Sequence, residues 1–189
     1  VFRRHVLWDY SAHNAAALDA LGVRVASVVP IGYVPDLTRI QFAPARDIDV
    51  LFFGSMNPRR TEIIERMRAA ELRVVAAFGL YGRQRDALIG RAKLLINVHF
   101  YEAKILEMVR ISYLLANRCA VLSERGSDPL EDEALAGGVA FADYQHLARC
   151  ARELVDAPDE RESLARRGFE IMSARPVAEY LRPAIETLG

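Results

Sequence analysis

Short apolar runs alternate along most of the chain with longer segments in which apolar and polar residues recur at helical spacing. Runs such as "VLFF" and "LLIN" contain no alternating polar positions, which is typical of strands buried on both faces of a parallel sheet. The longer segments have one apolar face, which is typical of helices that cover such a sheet. The pattern therefore predicts an α/β fold with a doubly wound parallel sheet and a helical C-terminus.

The predicted elements follow one another with short connections. We expect a short helix between the last two strands and predict strands over 48–54, 72–79, 93–98, 119–124 and 138–142. We predict the other helices over 60–70, 83–92, 102–117, 143–156, 159–174 and 177–188.

Residues ahead of this series form a smaller strand–helix–strand pattern. The run "HVLWDY" precedes a helix-forming segment that Ser11 can cap and Gly22 can end, and the valine-rich run "VRVASVVP" follows. This is the pattern of a partial βαβ unit, and the aperiodic segment after it indicates a linker. We therefore divide the chain into residues 1–45 and 46–189. Because a strand-like run follows Val1 at once, we expect the natural protein to continue upstream, unless the start of the gene was assigned too late.

Composition narrows the classes of partner. The formal net charge is +0, so no overall field favours nucleic acid. No apolar run approaches the length of a bilayer span, so we expect no transmembrane segment. Cys119 and Cys150 match no metal-ligand spacing, which favours a reduced, cytoplasmic setting. Sequences of the GxGxxG, GxSxG, HExxH and CxxC types are missing, which argues against fingerprint NAD binding, serine hydrolysis and zinc chemistry.

Ligands of open α/β sheets bind beyond the carboxyl ends of the strands, so polar strand-to-helix junctions are the candidate sites. The first junction leaves a strand at Gly54 and Ser55 and enters a helix at Arg59 and Arg60. A helix N-terminus already attracts anions, and an arginine there opposes the helix dipole, so a diphosphate would explain both arginines. The alternative is that they are solvated or pair with acids of their own helix.

The junction after the third predicted strand carries an unusual number of polar side chains. Asn97 and His99 would share one side of a persisting strand, and Tyr101 follows them. Glu107 and Arg110 lie three residues apart on a helix that is apolar over most of its circumference. Charges on such a helix need partners, either each other or a ligand. A solvated surface ion pair is the alternative.

Two further junctions leave alternatives open. Tyr81, flanked by Gly79 and Gly82, could stack on a base or could cover the end of the sheet. Ser123 and Glu124 end a strand where hydroxyls and carboxylates commonly meet a ribose or sugar. They could equally be a helix cap and a loop acid.

Five segments in this order carry a family resemblance: "LWDYSAHN", "PIGY", "DIDVLFFGSMNPRR", "LINVHFYEAKILEMVRISYLLAN" and "VLSERGSD". Spread over roughly residues 7–144, they resemble glycosyltransferases of the GT-B fold, in the bacterial and viral group related to family-1-type enzymes. The resemblance implies that 1–45 is the end of an N-terminal Rossmann-like domain with a linker. It implies that 46–189 is the C-terminal Rossmann-like domain that binds the nucleotide-sugar donor.

The resemblance also implies roles for the junction residues. The diphosphate would meet Gly54, Ser55, Arg59 and Arg60, and Glu107 would hold the ribose. Further donor contacts would come from Asn97, His99, Tyr101, Arg110, Ser123 and Glu124. The chain departs from the family's pair of glutamates around a glycine-rich turn, because His99 stands eight residues before Glu107.

These implications define two hypotheses. The first is a glycosyltransferase, or its donor-binding part, that transfers a sugar to a saccharide, lipid or protein acceptor without metal or other cofactor. The second is a non-catalytic α/β module derived from one, which binds a nucleotide or a protein partner. We assign no catalytic residue, because His5, Asp9, Tyr10 and His13 are all that remain of the acceptor domain. The apolar face of the last helix makes a homodimer possible.

Overall fold

The computed structural model describes residues 2–187, apart from the side chain of Arg3. Its strands are β1 (Trp8–Asp9), β2 (Ser27–Val28), β3 (Ile48–Phe53), β4 (Val74–Ala77), β5 (Ala92–Asn97), β6 (Val121–Glu124) and β7 (Ala140–Ala142). Its α-helices are α1 (Ala12–Ala20), α2 (Pro58–Ala69), α3 (Gly82–Arg91), α4 (Met108–Ala116), α5 (Pro129–Glu133), α6 (Leu147–Asp156), α7 (Pro158–Ser173) and α8 (Val177–Glu186).

The main sheet has five parallel strands in the order β4-β3-β5-β6-β7. The chain reverses direction across the sheet between β4 and β5, on either side of β3, which creates a topological switch point. A separate parallel pair, β1 and β2, connected through α1, forms the predicted small βαβ unit. Ser11 caps α1 by accepting the N–H of Asn14, as predicted. The α/β fold class is thus confirmed, while the domain boundary at residue 46 stays a prediction.

The core has two layers because successive strand side chains point to opposite faces of the sheet. Val50 and Phe52 belong to the layer covered by α2 and α6, with Ile63 and Leu154 packed in it. The opposite layer is covered mainly by α3, α4 and α7. It contains side chains such as Leu51, Leu95, Val121, Ile89, Leu114 and Met172. Burial on both faces explains why these strands contain hardly any polar residues.

The predicted helix over 102–117 is wrong in its first turns, because α4 begins only at Met108. Lys104 has φ 48°, a left-handed conformation that a helix cannot include. The exposed side chains of Ile105 and Val109 also contradict a helix buried nearly all round. Glu107 therefore lies at the N-cap position, at the end of a loop that follows β5. This loop, and not a longer helix, carries the polar residues of the junction.

Asn117, the buried residue that ends α4, holds the linker against the main domain. Its Oδ1 accepts the backbone N–H groups of Arg39 and Ile40 at 2.8 and 2.9 Å. Its Nδ2 donates to the carbonyl oxygens of Leu37 and Tyr113, both at 2.8 Å. One side chain thus satisfies four backbone groups and connects segments that are far apart in sequence. The linker is therefore a fixed part of the fold around α4.

We expect Asn117→Ala to lower the free energy of unfolding by about 2–4 kcal/mol, because it leaves linker N–H groups without their acceptor. Urea denaturation followed by circular dichroism measures this change. Gln84→Ala, which removes an exposed amide from α3, is the matched control and should change stability by less than about 0.5 kcal/mol. Equal effects of the two substitutions would contradict the role assigned to Asn117.

Candidate functional site

A cleft of about 420 Å³ opens at the carboxyl edge of the sheet, where the loops after β3, β4 and β5 meet. Seven residues named from the sequence line it: Gly54, Ser55, Arg60, Gly79, Tyr81, Tyr101 and Arg110. The cleft lies beside the switch point, where ligands of open α/β sheets bind. A neighbouring cleft of about 370 Å³ shares Arg110 with it and is also lined by Glu107 and by Tyr10 of the small unit.

Arg60 is the buried cation of the site, with 2% of its surface exposed. It donates to the carbonyl oxygens of Val98 and Ser55, at 2.8 and 2.9 Å, and to Glu107 Oε1 at 2.5 Å. Its guanidinium also lies 5.1 Å from the ring centre of Phe52. A charge in such a place needs several partners, and Arg60 has them from two separate loops.

Arg110 lies across the same carboxylate and closes the floor of the cleft. It forms an ion pair with Glu107 and donates to Asn97 Oδ1 at 2.8 Å. Burial, followed by the nearby charge of Arg60, lowers the pKa of Arg110, although Glu107 opposes this. Arg60, Arg110 and Glu107 together carry one net positive charge. The group therefore favours an anion in the cleft.

Gly54 leaves room for Arg110. Its φ of 143° lies in a region that other residues avoid. A Cβ atom at this position would stand only 2.8 Å from Arg110 Nη2. The guanidinium can lie against the β3–α2 loop because no side chain stands there. Glycine is thus a requirement of the cleft's geometry.

Arg59 does not contact the group of Arg60, Arg110 and Glu107 and belongs instead to a second charged group. It forms a bidentate ion pair with Glu124, which has 1% of its surface exposed, and donates to the carbonyl oxygen of His99 at 3.2 Å. Its guanidinium lies 4.0 Å from the ring centre of Tyr144. Burial alone would raise the pKa of Glu124, but hydrogen bonding and charge from Arg59 outweigh it and lower that pKa.

His99, Asn97 and Ser123 connect the two charged groups. The backbone N–H of His99 donates to Glu124 Oε2 at 3.1 Å, and its ring Nε2 lies 3.2 Å from the carbonyl oxygen of Arg125. Ring atom Nδ1 is buried without a hydrogen-bond partner in residues 2–187. Asn97 Nδ2 donates to Ser123 Oγ at 3.1 Å. These side chains are buried behind the cleft and brace its floor.

The structure resolves several of the alternatives that the sequence left open. Arg59 and Arg60 do not pair with Glu62 and Glu65, which form ion pairs with Arg66 and Arg68 on the exposed face of α2. Glu124 is a buried ion-pair partner and not a loop acid. Tyr81 is 79% exposed at the cleft rim, which fits either a base contact or a cover for the sheet end.

The sequence analysis missed other residues at these sites. Arg85 lines both clefts, and its guanidinium lies 4.2 Å from the ring centre of Tyr113. The ring centre of Phe100 lies 5.1 Å from the guanidinium of Arg60, and the Phe100 carbonyl oxygen accepts from the capping residue Asn57 at 2.9 Å. Exposed Phe78 stands at the rim. The only signal for Arg85 was the polarity of the segment "FGLYGRQRD", which joins β4 to α3. Phe78 and Phe100 gave no signal, because an aromatic residue that follows a strand is usually predicted to belong to the core.

The placement of acidic and metal-binding side chains bears on the expectation that the site needs no metal ion. In residues 2–187 no group of three His, Cys, Asp or Glu side chains is placed to hold a metal ion. The chain has one Asp-x-Asp sequence, Asp47 and Asp49, at the start of β3 and thus at the opposite edge of the sheet. Asp47 pairs with Arg91, and Asp49 pairs with Lys93 and Arg73. Metal independence stays a prediction.

Comparison with sequences found one relative. No family model matches the chain. A stretch of 105 residues is 33% identical to an uncharacterized protein of Acanthamoeba polyphaga mimivirus. This stretch is 54% of the present chain and 12% of the viral protein, so the chain corresponds to a small part of that relative.

Solved structures show the fold much more completely. HepE from Anabaena, in complex with UDP and glucose, superposes with a TM-score of 0.70 at 15% identity, over 98% of this chain and 64% of HepE. Sucrose-phosphate synthase from Thermosynechococcus elongatus gives 0.63 at 13% identity, over 96% and 56%. The C-terminal domain of a group 1 glycosyl transferase from Francisella tularensis gives 0.55 at 10% identity, over 76% and 97%.

These likenesses confirm the GT-B glycosyltransferase fold, with a Rossmann-like C-terminal domain that carries the five-stranded sheet. The chain spans less than two thirds of HepE and of the synthase. In residues 2–187 we find no helix with the length and apolar character needed to cross a membrane.

The lowered pKa of Glu124 gives a pH-dependent prediction. A carboxyl whose folded pKa lies below its unfolded value of about 4.5 stabilises the fold above pH 4.5 and loses this contribution as pH falls through the folded pKa. We therefore expect Glu124→Gln to reduce the free energy of unfolding at pH 7 and to differ progressively less from the wild type at pH 4 and below. Urea denaturation at several pH values measures this difference. A difference that stays constant from pH 7 to pH 3 would contradict it.

Proposed function

We propose that this chain is the donor-binding part of a glycosyltransferase and binds a nucleotide sugar in the cleft at the carboxyl edge of the sheet. The observation that carries the proposal is the net positive group of Arg60, Arg110 and Glu107 on the floor of that cleft. The similarity to HepE, which was solved with UDP and with UDP-glucose, supports a nucleotide sugar as the ligand.

The proposed chemistry places the diphosphate of the donor against Arg110 and Arg60. As the bond between sugar and diphosphate breaks, negative charge grows on the leaving diphosphate. Fixed guanidinium groups in a partly buried cleft stabilise that charge without first reorganising. No metal ion is needed in this scheme. The acceptor would be a saccharide, a lipid or a protein side chain.

Glu107 is proposed to hold the ribose of the nucleotide. Its carboxylate already accepts from Arg60 and contacts Arg110, yet a carboxylate has about four acceptor sites, so hydroxyl donors can still be accommodated. Arg59 was expected at the diphosphate, but it does not line the cleft, and its pairing with Glu124 fits a supporting role for the loop after β5. Phe78, Tyr81 and Tyr101 at the rim offer ring faces to a nucleotide base.

The first test is a calorimetric titration of the chain with UDP, GDP, dTDP, ADP and CMP, and with their sugar conjugates. We expect saturable binding of one nucleoside diphosphate. Arg110→Ala should weaken it at least about tenfold, because it removes charge-assisted hydrogen bonds worth about 1.5–3 kcal/mol. Glu107→Ala should weaken binding of the complete nucleotide more than binding of a diphosphate that carries no nucleoside.

The matched control is Arg68→Ala, which removes an exposed arginine of α2 that is paired with Glu65. It should leave nucleotide affinity unchanged. Thermal unfolding of each variant without ligand separates loss of binding from loss of fold. No saturable binding of any of these nucleotides to folded wild-type protein would contradict the proposal.

A non-catalytic module is the second candidate. The observation in its favour is that Glu124 pairs with Arg59, and Glu107 pairs with Arg60 and Arg110, so each of these charged residues has a partner without a ligand. A turnover assay distinguishes the glycosyltransferase from the non-catalytic module. It measures release of nucleoside diphosphate from the sugar nucleotide that binds most tightly, with and without a mixture of sugar acceptors. Binding without turnover in the full natural protein would favour the module.

A further inference from the structure

A second concave site lies at the amino edge of the sheet, opposite the cleft described above. It is a pocket of about 510 Å³ between the segment that enters β3, the start of β5, the end of α4 and the first half of α7. Its lining includes five basic residues: Arg46, Lys93, Arg118, Arg161 and Arg166. Glu162 is the one acid in the lining, in a chain whose formal net charge is +0.

Four of these cations have no ion-pair partner within residues 2–187. Lys93 differs, because it is paired with Asp49 at 2.7 Å. Burial and then the charge of Arg46 lower the pKa of Arg161, while the charges of Glu162, Asp156 and Asp49 oppose this. The five bases of the lining outnumber Glu162 of the lining and Asp49, so the pocket keeps a net positive charge that favours an anion.

Two of the guanidinium groups, those of Arg46 and Arg118, are held through their faces, whereas Arg166 donates to Ser163 Oγ at 3.2 Å. Arg46 lies over the ring of Phe42 at 4.1 Å from its centre, and Arg118 lies over Phe169 at 3.9 Å. Stacking uses the flat face of a guanidinium and leaves its N–H edge free for hydrogen bonds. Arg161 is anchored by the last carbonyl oxygens of α6. The guanidinium groups of Arg46, Arg118 and Arg161 are therefore positioned by contacts within the chain, without a ligand.

Arg118 also stands in an unusual backbone conformation. It follows the end of α4 with φ 54°, at a position where helices usually carry glycine or asparagine. A cation here is favourable for the helix dipole, which accounts for one arginine near this helix end. It does not account for Arg46 or for Arg166, which come from other segments.

From this arrangement we propose that the amino-edge pocket binds a small compound with two or more phosphate charges. Forked guanidinium groups match phosphate oxygens in pairs, and several of them converge here. The pocket is large enough for a sugar bisphosphate or a nucleotide. The site is independent of the proposed donor cleft, because the two lie at opposite ends of the parallel strands.

Inorganic pyrophosphate is the probe for the test, followed by calorimetry and by backbone amide shifts in NMR spectra. We expect the amides around Arg118 and Arg166 to shift in a saturable way. The double variant Arg118→Asn, Arg166→Gln should weaken this binding event at least about tenfold. Asparagine tolerates the positive φ at 118, so the backbone there is preserved. Arg167→Gln, on the same helix but outside the pocket lining, is the control and should bind as the wild type does.

Amide shifts separate the two sites. Shifts near Gly54 report binding in the donor cleft, and shifts near Arg118 report binding in the amino-edge pocket. Absence of binding at one site therefore leaves the measurement at the other site intact. No saturable shift near Arg118 and Arg166 in folded protein would overturn the proposal. Pyrophosphate affinity at these amides that is unchanged in the double variant would overturn it too, and the arginines would then serve only the helix ends.

The phosphate groups could belong to a free compound or to a lipid head group. Co-sedimentation with phosphatidylcholine vesicles, with and without a phosphatidylinositol bisphosphate, distinguishes these sources. Sedimentation that requires the bisphosphate lipid and is lost in the double variant identifies a head group. Pyrophosphate binding without sedimentation identifies a free compound.

Discussion

The hydrogen bonds of the buried Arg60 guanidinium are the interactions on which the arrangement of the carboxyl edge depends. The guanidinium joins the β3–α2 loop, through the carbonyl oxygen of Ser55, to the β5–α4 loop, through Val98 and Glu107. Because a buried charge is costly without partners, its partners hold both loops in one arrangement. The open space for a ligand lies between these loops.

Pairing within the chain shapes what the cleft can do. Glu107 is placed between Arg60 and Arg110, and Glu124 is held by Arg59, so the acids are oriented before a ligand enters. A preformed site avoids the cost of ordering side chains on binding. It also leaves net positive charge at one end of the sheet, and the amino-edge pocket leaves more at the other. A neutral chain thus has two separate regions suited to anions.

Much of the fold followed from local pattern. Strands without polar positions and helices with one apolar face predicted the parallel sheet, and strand ends predicted where polar side chains would gather. The start of α4 did not follow, because Ile105 and Leu106 continue the apolar period although Lys104 has left-handed geometry. The amino-edge arginines were also missed, because nothing local marks Arg46, Arg118 and Arg166 as neighbours.

The sequence by itself determined the fold class, the order of the elements and most of the polar residues at the carboxyl edge. These depend on side-chain period and on the rule that parallel strands end together. Only the tertiary structure decided the partners of each charge. Arg59 and Glu124 are 65 residues apart, and Arg60 and Glu107 are 47 apart. No local pattern encodes such pairs, since they form only when separate loops meet over the folded sheet.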